Sequence, residues 1–280
     1  MKVIDYIGVS IVYVLFMISN NIAKADIYKA ADGALIDYEV TGNGEPLVLL
    51  HSGMMSREDM RTQINHFSKN YMVIAIDSRG QGRSSSTNTQ ISYELMAADV
   101  LGVLDQLKVK QAHFFGQSDG AITALLMSLY HPERIIKLII HGAVFNHSAY
   151  PAMQKETWKN ITWNKDDNVA NDPANFPGMA IDHYLLGRND LSGFEAHLKE
   201  MAMMWATSPN LIPDDLAGIN IPTLVIVGDH YDISISHTLE IHEALPNSEL
   251  FVVPGATHFV HQEKPALLHK VIDDFLQKNK

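Results

Sequence analysis

The stretch Ala112-His113-Phe114-Phe115-Gly116-Gln117-Ser118-Asp119-Gly120-Ala121 decides how this chain is read. Its first four residues make a short apolar run that suits a buried strand, and Ala121–Tyr130 reads as a helix. Between them stands Gly116-x-Ser118-x-Gly120. The pattern is loose by itself and gains its weight from the strand before it and the helix after it. The turn joining the two is too tight for nearby Cβ atoms, so glycines sit two residues to either side of the serine. Ser118 is then expected to project from the strand end beside a helix N-terminus, where developing negative charge is favoured. The plain alternative is a capping serine in an ordinary strand-to-helix turn.

Outward from this turn, short apolar runs alternate with helix-like stretches. Leu47–Leu50, Tyr71–Ile76, Ala112–Phe115, Ile135–Ile140, Thr223–Val227 and Leu250–Val253 read as buried strands. Glu58–Phe67, Tyr93–Leu107, Ala121–Tyr130, His237–Leu245 and Pro265–Leu276 read as helices, the last with proline in its first turn. The alternation predicts an α/β fold, a mainly parallel sheet with helices on both faces. Leu35–Val40, followed by Gly42-Asn43-Gly44, predicts an early antiparallel strand and turn. Residues 145–220 break the alternation. They hold Trp158, Trp163, Trp205, the cluster Met201, Met203 and Met204, and the loop signals Asn171-Asp172-Pro173 and Phe176-Pro177-Gly178. This segment is expected to be a helical cap inserted into a core made of residues 26–144 and 221–280.

The 280 residues are 46% hydrophobic and 19% charged, which is the balance of a globular protein with a substantial core. A net charge of −11 argues against nucleic acid and anionic membrane as partners. The chain has no cysteine, so disulfides, thiolate metal sites and a cysteine nucleophile are excluded. At the start, Lys2, the apolar run Ile7–Ile18 and Ala23-Lys24-Ala25 read as a signal peptide, Met1–Ala25, cleaved before Asp26. The expected location is therefore periplasmic or secreted, with no stable membrane association after cleavage. An uncleaved anchor and an ordinary first strand are the alternatives.

A serine hydroxyl needs a base, and the base needs a carboxylate to orient it. Of the 14 histidines, His258 in Pro254-Gly255-Ala256-Thr257-His258-Phe259 follows the last strand and should reach over the sheet edge where Ser118 sits. His261 is its neighbour and competitor, with a solvated structural role expected, and most other histidines are expected at the surface or in a second layer. No histidine pair has a metal-ligand setting, so neither metal nor cofactor is expected.

Several pieces in order resemble the α/β-hydrolase superfamily. They are Gly42-Asn43-Gly44-Glu45-Pro46, Leu49-Leu50-His51-Ser52-Gly53, Asp77-Ser78-Arg79-Gly80-Gln81-Gly82-Arg83-Ser84, the Ser118 turn, His131-Pro132-Glu133-Arg134 and Gly255-Ala256-Thr257-His258. The resemblance implies a triad in the order Ser118, an acid after the strand Thr223–Val227, and His258. The family's usual acid position falls on Tyr231, flanked by Asp229 and Asp232; Asp232 is favoured and Asp229 remains open. It also implies an oxyanion hole from the backbone N–H groups of Asp119 and of Gly53 or Met54, with His51 bracing that loop. A serine rather than an aspartate nucleophile implies an acyl-enzyme, and so a small carboxylic ester, lactone or thioester as substrate. Carbon–carbon bond hydrolysis, cofactor-free perhydrolysis and a non-catalytic binding role are the alternatives. Protein recovered from the cell envelope is expected to begin at Asp26, as read by N-terminal peptide mapping. A mature pool retaining Met1 or Lys2 would contradict the leader reading.

Overall fold

Successive side chains of a strand point to opposite faces, and the apolar runs of this chain use both. Val48, Leu50, Ile74, Ile76, Phe114 and Ile140 are buried on one side, whereas Leu47, Leu49, Val73, Ala75, Phe115 and Ile139 are buried on the other. Such strands need cover on both faces. The computed structural model describes residues 23–162 and 176–278 and shows that cover. One sheet contains β1 (Lys24–Lys29), β2 (Leu35–Thr41), β3 (Glu45–Leu50), β4 (Tyr71–Ile76), β5 (Ala112–Gln117), β6 (Ile135–His141), β7 (Thr223–Gly228) and β8 (Ser248–Val253). Their spatial order is β1-β2-β4-β3-β5-β6-β7-β8. β2 pairs antiparallel with both β1 and β4, and the remaining neighbours run parallel.

Helices α2 (Tyr93–Gln106), α3 (Asp119–Tyr130) and α8 (Ile235–Ala244) pack Val103, Leu125 and Ile241 on the first face. Helices α1 (Arg61–Phe67) and α10 (Pro265–Gln277) pack Phe67, Leu268 and Ile272 on the second. Between β6 and β7 lie α4 (Ala152–Lys159), α5 (Phe176–Leu185), α6 (Phe194–Thr207) and the short α7 (Pro213–Leu216); the short α9 (Val260–Glu263) follows β8. The cap is tied down by Arg188, which donates to the carbonyls of Gly82 (2.7 Å), Gly80 (3.0 Å) and Ser84 (3.0 Å). His183 adds a 2.7 Å hydrogen bond to Ser56.

Three differences from the sequence reading have physical causes. β1 is a polar, largely exposed edge strand without an apolar signature, and it overlaps the expected cleavage position. Phe176-Pro177-Gly178 opens α5 rather than a loop, because a first-turn proline lacks only an N–H that would have no helical acceptor. The stretch expected to be one helix from Glu58 is a 3₁₀ turn over Arg57–Met60 followed by α1. Trp163 and Asn171-Asp172-Pro173 lie outside the described residues.

The parallel centre of the sheet brings the C-terminal ends of β3, β5, β6 and β7 to one edge, where α/β folds place their ligands. Close packing there leaves no room for a methyl group at Gly120, since an added Cβ would stand 2.2 Å from the Leu50 carbonyl oxygen. Gly120→Ala is expected to cost about 1–3 kcal/mol, read as a lower urea midpoint with unchanged slope. An unchanged midpoint would mean that α3 shifts freely against β3.

Candidate active site

Ser118 sits between β5 and α3 with φ 52° and ψ −116°, a left-handed conformation that costs a non-glycine residue about 1–3 kcal/mol. The surrounding packing enforces it. An added Cβ at Gly116 would lie 2.3 Å from the Gly120 carbonyl oxygen, so the two arms of the turn meet at glycine on both sides. The Ser118 N–H donates to the His141 carbonyl at 2.8 Å, and its carbonyl accepts from Ile122 in the first turn of α3. The side chain lines a cavity of about 390 Å³.

His258, Asp232, Asp119 and Gly53 line the same cavity. His258 lies on the loop after β8, half-buried, with its ring stacked on Tyr231 at 4.4 Å between centroids. Burial, reinforced by His261 nearby and opposed by Asp59, pushes its pKa down to about 4. No hydrogen bond joins Ser118 to His258 among the described residues, and the buried Nδ1 of His258 has no partner. Catalytic hydrogen bonds are often long before substrate binds.

The two candidate acids are differently placed. Asp229 accepts from the N–H groups of Gly255 (2.7 Å) and Ala256 (3.3 Å), which ties the loop after β7 to the one carrying His258. Asp232 is exposed on the cavity rim and makes no hydrogen bond to His258. Tyr231, at the family's usual acid position, has its phenol pKa raised by burial and stays neutral.

The turn after β3 supplies the opposite wall. His51 holds it through Nδ1 to the Ser52 carbonyl (2.7 Å) and through Nε2, which accepts from the Ser78 N–H (2.9 Å). Gly53 lines the cavity, whereas Met54 is buried outside its lining. Gly53 must be glycine, because an added Cβ would stand 2.2 Å from Asp119 Oδ2. Asp119 is the first residue of α3, where backbone N–H groups have no helical acceptor. Asp119 and Gly53 both line the cavity together with Ser118.

The side chain of Asp119 is a feature that the sequence did not single out. Its Oδ1 accepts from the Tyr93 hydroxyl and its Oδ2 from the Trp205 indole, both at 2.8 Å. Burial, opposed by those two hydrogen bonds, raises its pKa to about 6. Tyr150, Gln154, Trp158, Trp205, Tyr231 and Phe259 complete most of the wall, with Tyr150 edge-on to Trp158 at 4.8 Å. Trp158 and Trp205 thus face the cavity. Met201 and Met204 pack into the core and Met203 is part-exposed, so the methionines contribute no lining.

Histidine placement also departs from expectation. His51, His113, His141, His197, His237 and His261 are buried. His261 is not solvated: its Nε2 pairs with Asp59 Oδ2 at 3.0 Å beneath the site. Asp77 and Arg79 form a buried scaffold, Asp77 accepting from the N–H groups of Arg57 and Arg83, and Arg79 forking onto Asp99. Among the described residues, no group of three or more acidic or histidine side chains is placed to hold a metal ion.

Residues 45–201 match the alpha/beta hydrolase fold family. The chain belongs to that family. A Haemophilus influenzae protein described as an esterase/lipase is 24% identical, covering 98% of this chain and 99% of its own. A Burkholderia vietnamiensis 2-hydroxy-6-oxononadienedioate/2-hydroxy-6-oxononatrienedioate hydrolase is 28% identical over 87% of this chain and 91% of its own. Among solved structures, a meta-cleavage product hydrolase from Pseudomonas fluorescens superposes with a TM-score of 0.77 at 21% identity, covering 91% of this chain and 98% of that one. As a member of this family the chain is a hydrolase.

A base is competent while neutral, and lowering its pKa moves its protonation to lower pH. kcat/KM is therefore expected to hold its plateau through pH 6 and to halve near pH 4, where His258 protonates. Repeating the profile in Asp119→Asn separates out the Asp119 titration near 6. A half-point near the ordinary histidine value of about 6.5 in both proteins would show that burial does not act on this ring.

Proposed function

We propose that the chain hydrolyses small, uncharged carboxylic esters, lactones or thioesters through an acyl-enzyme on Ser118. His258 is the general base, Asp232 its carboxylate, and the N–H groups of Gly53 and Asp119 the oxyanion hole. The observation that carries the proposal is the strained, left-handed Ser118 facing a cavity that His258 also lines. In this reading Ser118 Oγ attacks the carbonyl carbon and its proton passes to His258 Nε2. The tetrahedral oxyanion is held by the two amides, and the leaving group departs with the proton from His258. Water then attacks the acyl carbon by the same route and gives its proton to His258, which returns it to Ser118 Oγ as the ester bond to the enzyme breaks and the acid leaves. Each oxyanion donor is worth about 2.7–4 kcal/mol to such a step.

Charge on the lining favours an uncharged substrate. The described lining residues include the carboxylates of Asp119 and Asp232 and no lysine or arginine. A dianion of the kind named for the Burkholderia relative would meet repulsion there with no cation to receive it. That relative keeps carbon–carbon hydrolysis as a second reading. The aromatic walls suit a flat or apolar acyl group. Among the described residues no helix is long and apolar enough to cross a membrane. The same proposal has the chain exported after loss of Met1–Ala25.

The test joins labelling to a substrate panel. Ser118→Ala is expected to fold and to lose both fluorophosphonate labelling and hydrolysis of para-nitrophenyl acetate. Asp232→Asn is expected to lose up to about 10⁴ in kcat with little change in melting temperature. Neutral aryl esters should exceed doubly charged dienoates in kcat/KM. Retained labelling of Ser118→Ala would place the nucleophile elsewhere, and the reverse substrate order would favour carbon–carbon hydrolysis.

A further inference from the structure

Behind His258, away from the substrate side, buried polar atoms without partners gather in one place. His141 closes β6 fully out of solvent, and neither of its ring nitrogens has a hydrogen bond. Its ring centroid lies 6.1 Å from that of His258 and 5.9 Å from that of His261. The Nδ1 atoms of His258 and His261 are likewise buried and unpartnered, as is Gln117 Oε1 on the neighbouring strand. Such clustering is unusual, since the large majority of buried polar side-chain atoms are paired. Rings at this spacing are too far apart to bond directly and leave the gap that a single bridging water spans.

The far end of the cluster is a carboxylate. Asp59, buried, accepts from His261 Nε2 at 3.0 Å and from the Gln262 amide. Burial is the largest single influence and works against its charged form, but His261, His183 and the Gln262 amide together outweigh it and hold the pKa below the usual carboxylate range. Gln63 fixes the His261 backbone with a 2.8 Å hydrogen bond to its carbonyl. The titratable groups that face His258 are then His141 from β6, His261 from α9, Asp59 beyond it, and Tyr231 and Asp232 from the loop after β7.

We infer that Asp59, through His261 and His141, is a second, buried positioning carboxylate for His258, taking the direction of its Nδ1–H while Asp232 stands off at the rim, as it does here. The inference rests on the reading of Ser118 and His258 above. Its physics is the polarity of neutral imidazoles, each of which donates through one nitrogen and accepts through the other. His261 gives its Nε2–H to Asp59, so its Nδ1 accepts. His141 donates toward that nitrogen and accepts on its other side, and His258 donates there through Nδ1–H. A bridging water preserves the same direction. The chain therefore ends with the Nε2 lone pair of His258 open toward Ser118, the tautomer that a general base needs. When Nε2 takes the serine proton, the charge of Asp59 lies along the same line. Asp59, His261 and His141 touch no substrate and act only through His258. The Nδ1 edge of His258 lies against Gly142, directly after His141, where an added Cβ would be 2.9 Å from Nδ1.

The experiment uses the full chain and reads para-nitrophenyl acetate kinetics, fluorophosphonate labelling rate, melting temperature and the nitrogen NMR signature of the His258 tautomer. Asp59→Asn and His141→Leu should each lower kcat by at least about tenfold, part of the roughly 10⁴-fold that an orienting carboxylate supplies. KM should stay unchanged, and His258 should gain Nε2–H character. Melting temperature is read for every variant, so that kcat is compared on the folded fraction alone. The double variant should be no slower than the slower single. A merely structural pair would lower melting temperature and leave kcat of the folded fraction and the tautomer alone. Folded His141→Leu with wild-type kcat and tautomer overturns the inference, even if Asp59→Asn fails to fold. So does a result in which Asp232→Asn loses activity while folded Asp59→Asn and His141→Leu both keep it. Failure of the underlying reading looks different, since Ser118→Ala would then still label.

Discussion

The tight contact of α3 against β3, through Gly120 at the Leu50 carbonyl, is the constraint on which the site depends. It presses the start of the helix onto the sheet and leaves one residue, Ser118, to reverse the chain between β5 and α3. Only a left-handed conformation makes that reversal in the space available, and the packing of β5 between β3 and β6 keeps it there. The strain is modest beside the burial of Phe114, Phe115, Leu125 and their neighbours, each worth about 1.5–3 kcal/mol when fully removed from water. A nucleophile raised in this way needs no arrangement by substrate. The same packing sets the first amide of α3 beside it.

The cap is attached to this centre through polar contacts as well as apolar ones. Trp205 of α6 and Tyr93 of α2 each give a hydrogen bond to Asp119, so one buried carboxylate joins core, cap and the residue after the nucleophile. Arg188 joins the cap to three carbonyls of the turn after β4. A buried carboxylate is costly unless its lone pairs are filled, and here both oxygens are. Its charge also sets the electrostatic character of the cavity, which is acidic and aromatic and has no described cation in its lining.

His258 is unlike Ser118 in how it is held. Ser118 is fixed by backbone geometry, whereas His258 is held by stacking on Tyr231 and by surrounding rings. Asp229 braces its loop without touching its ring, and Asp232 stays at the rim. The polar side chains behind its ring come from β6, α9 and the turn before α1, elements that are far apart in sequence.

Much of the fold was legible without coordinates. Apolar runs buried on both faces, such as Tyr71–Ile76 and Thr223–Val227, can only be inner strands, and their alternation with helices dictates parallel pairing. Local rules reach as far as Ser118 because the glycines and the strand–helix change are neighbours in sequence. They do not reach β1, whose pairing with β2 is made by backbone groups that any residue carries. Nor do they reach the surroundings of Asp119, Asp59 or His141, whose partners lie 26, 86, 202 and 117 residues away. Sequence by itself determined the sheet and the sharp strand-to-helix turn that carries Ser118, because each follows from the order of nearby residues. Tertiary structure alone decided which polar groups are buried together, because that depends on which distant segments the sheet brings to one edge.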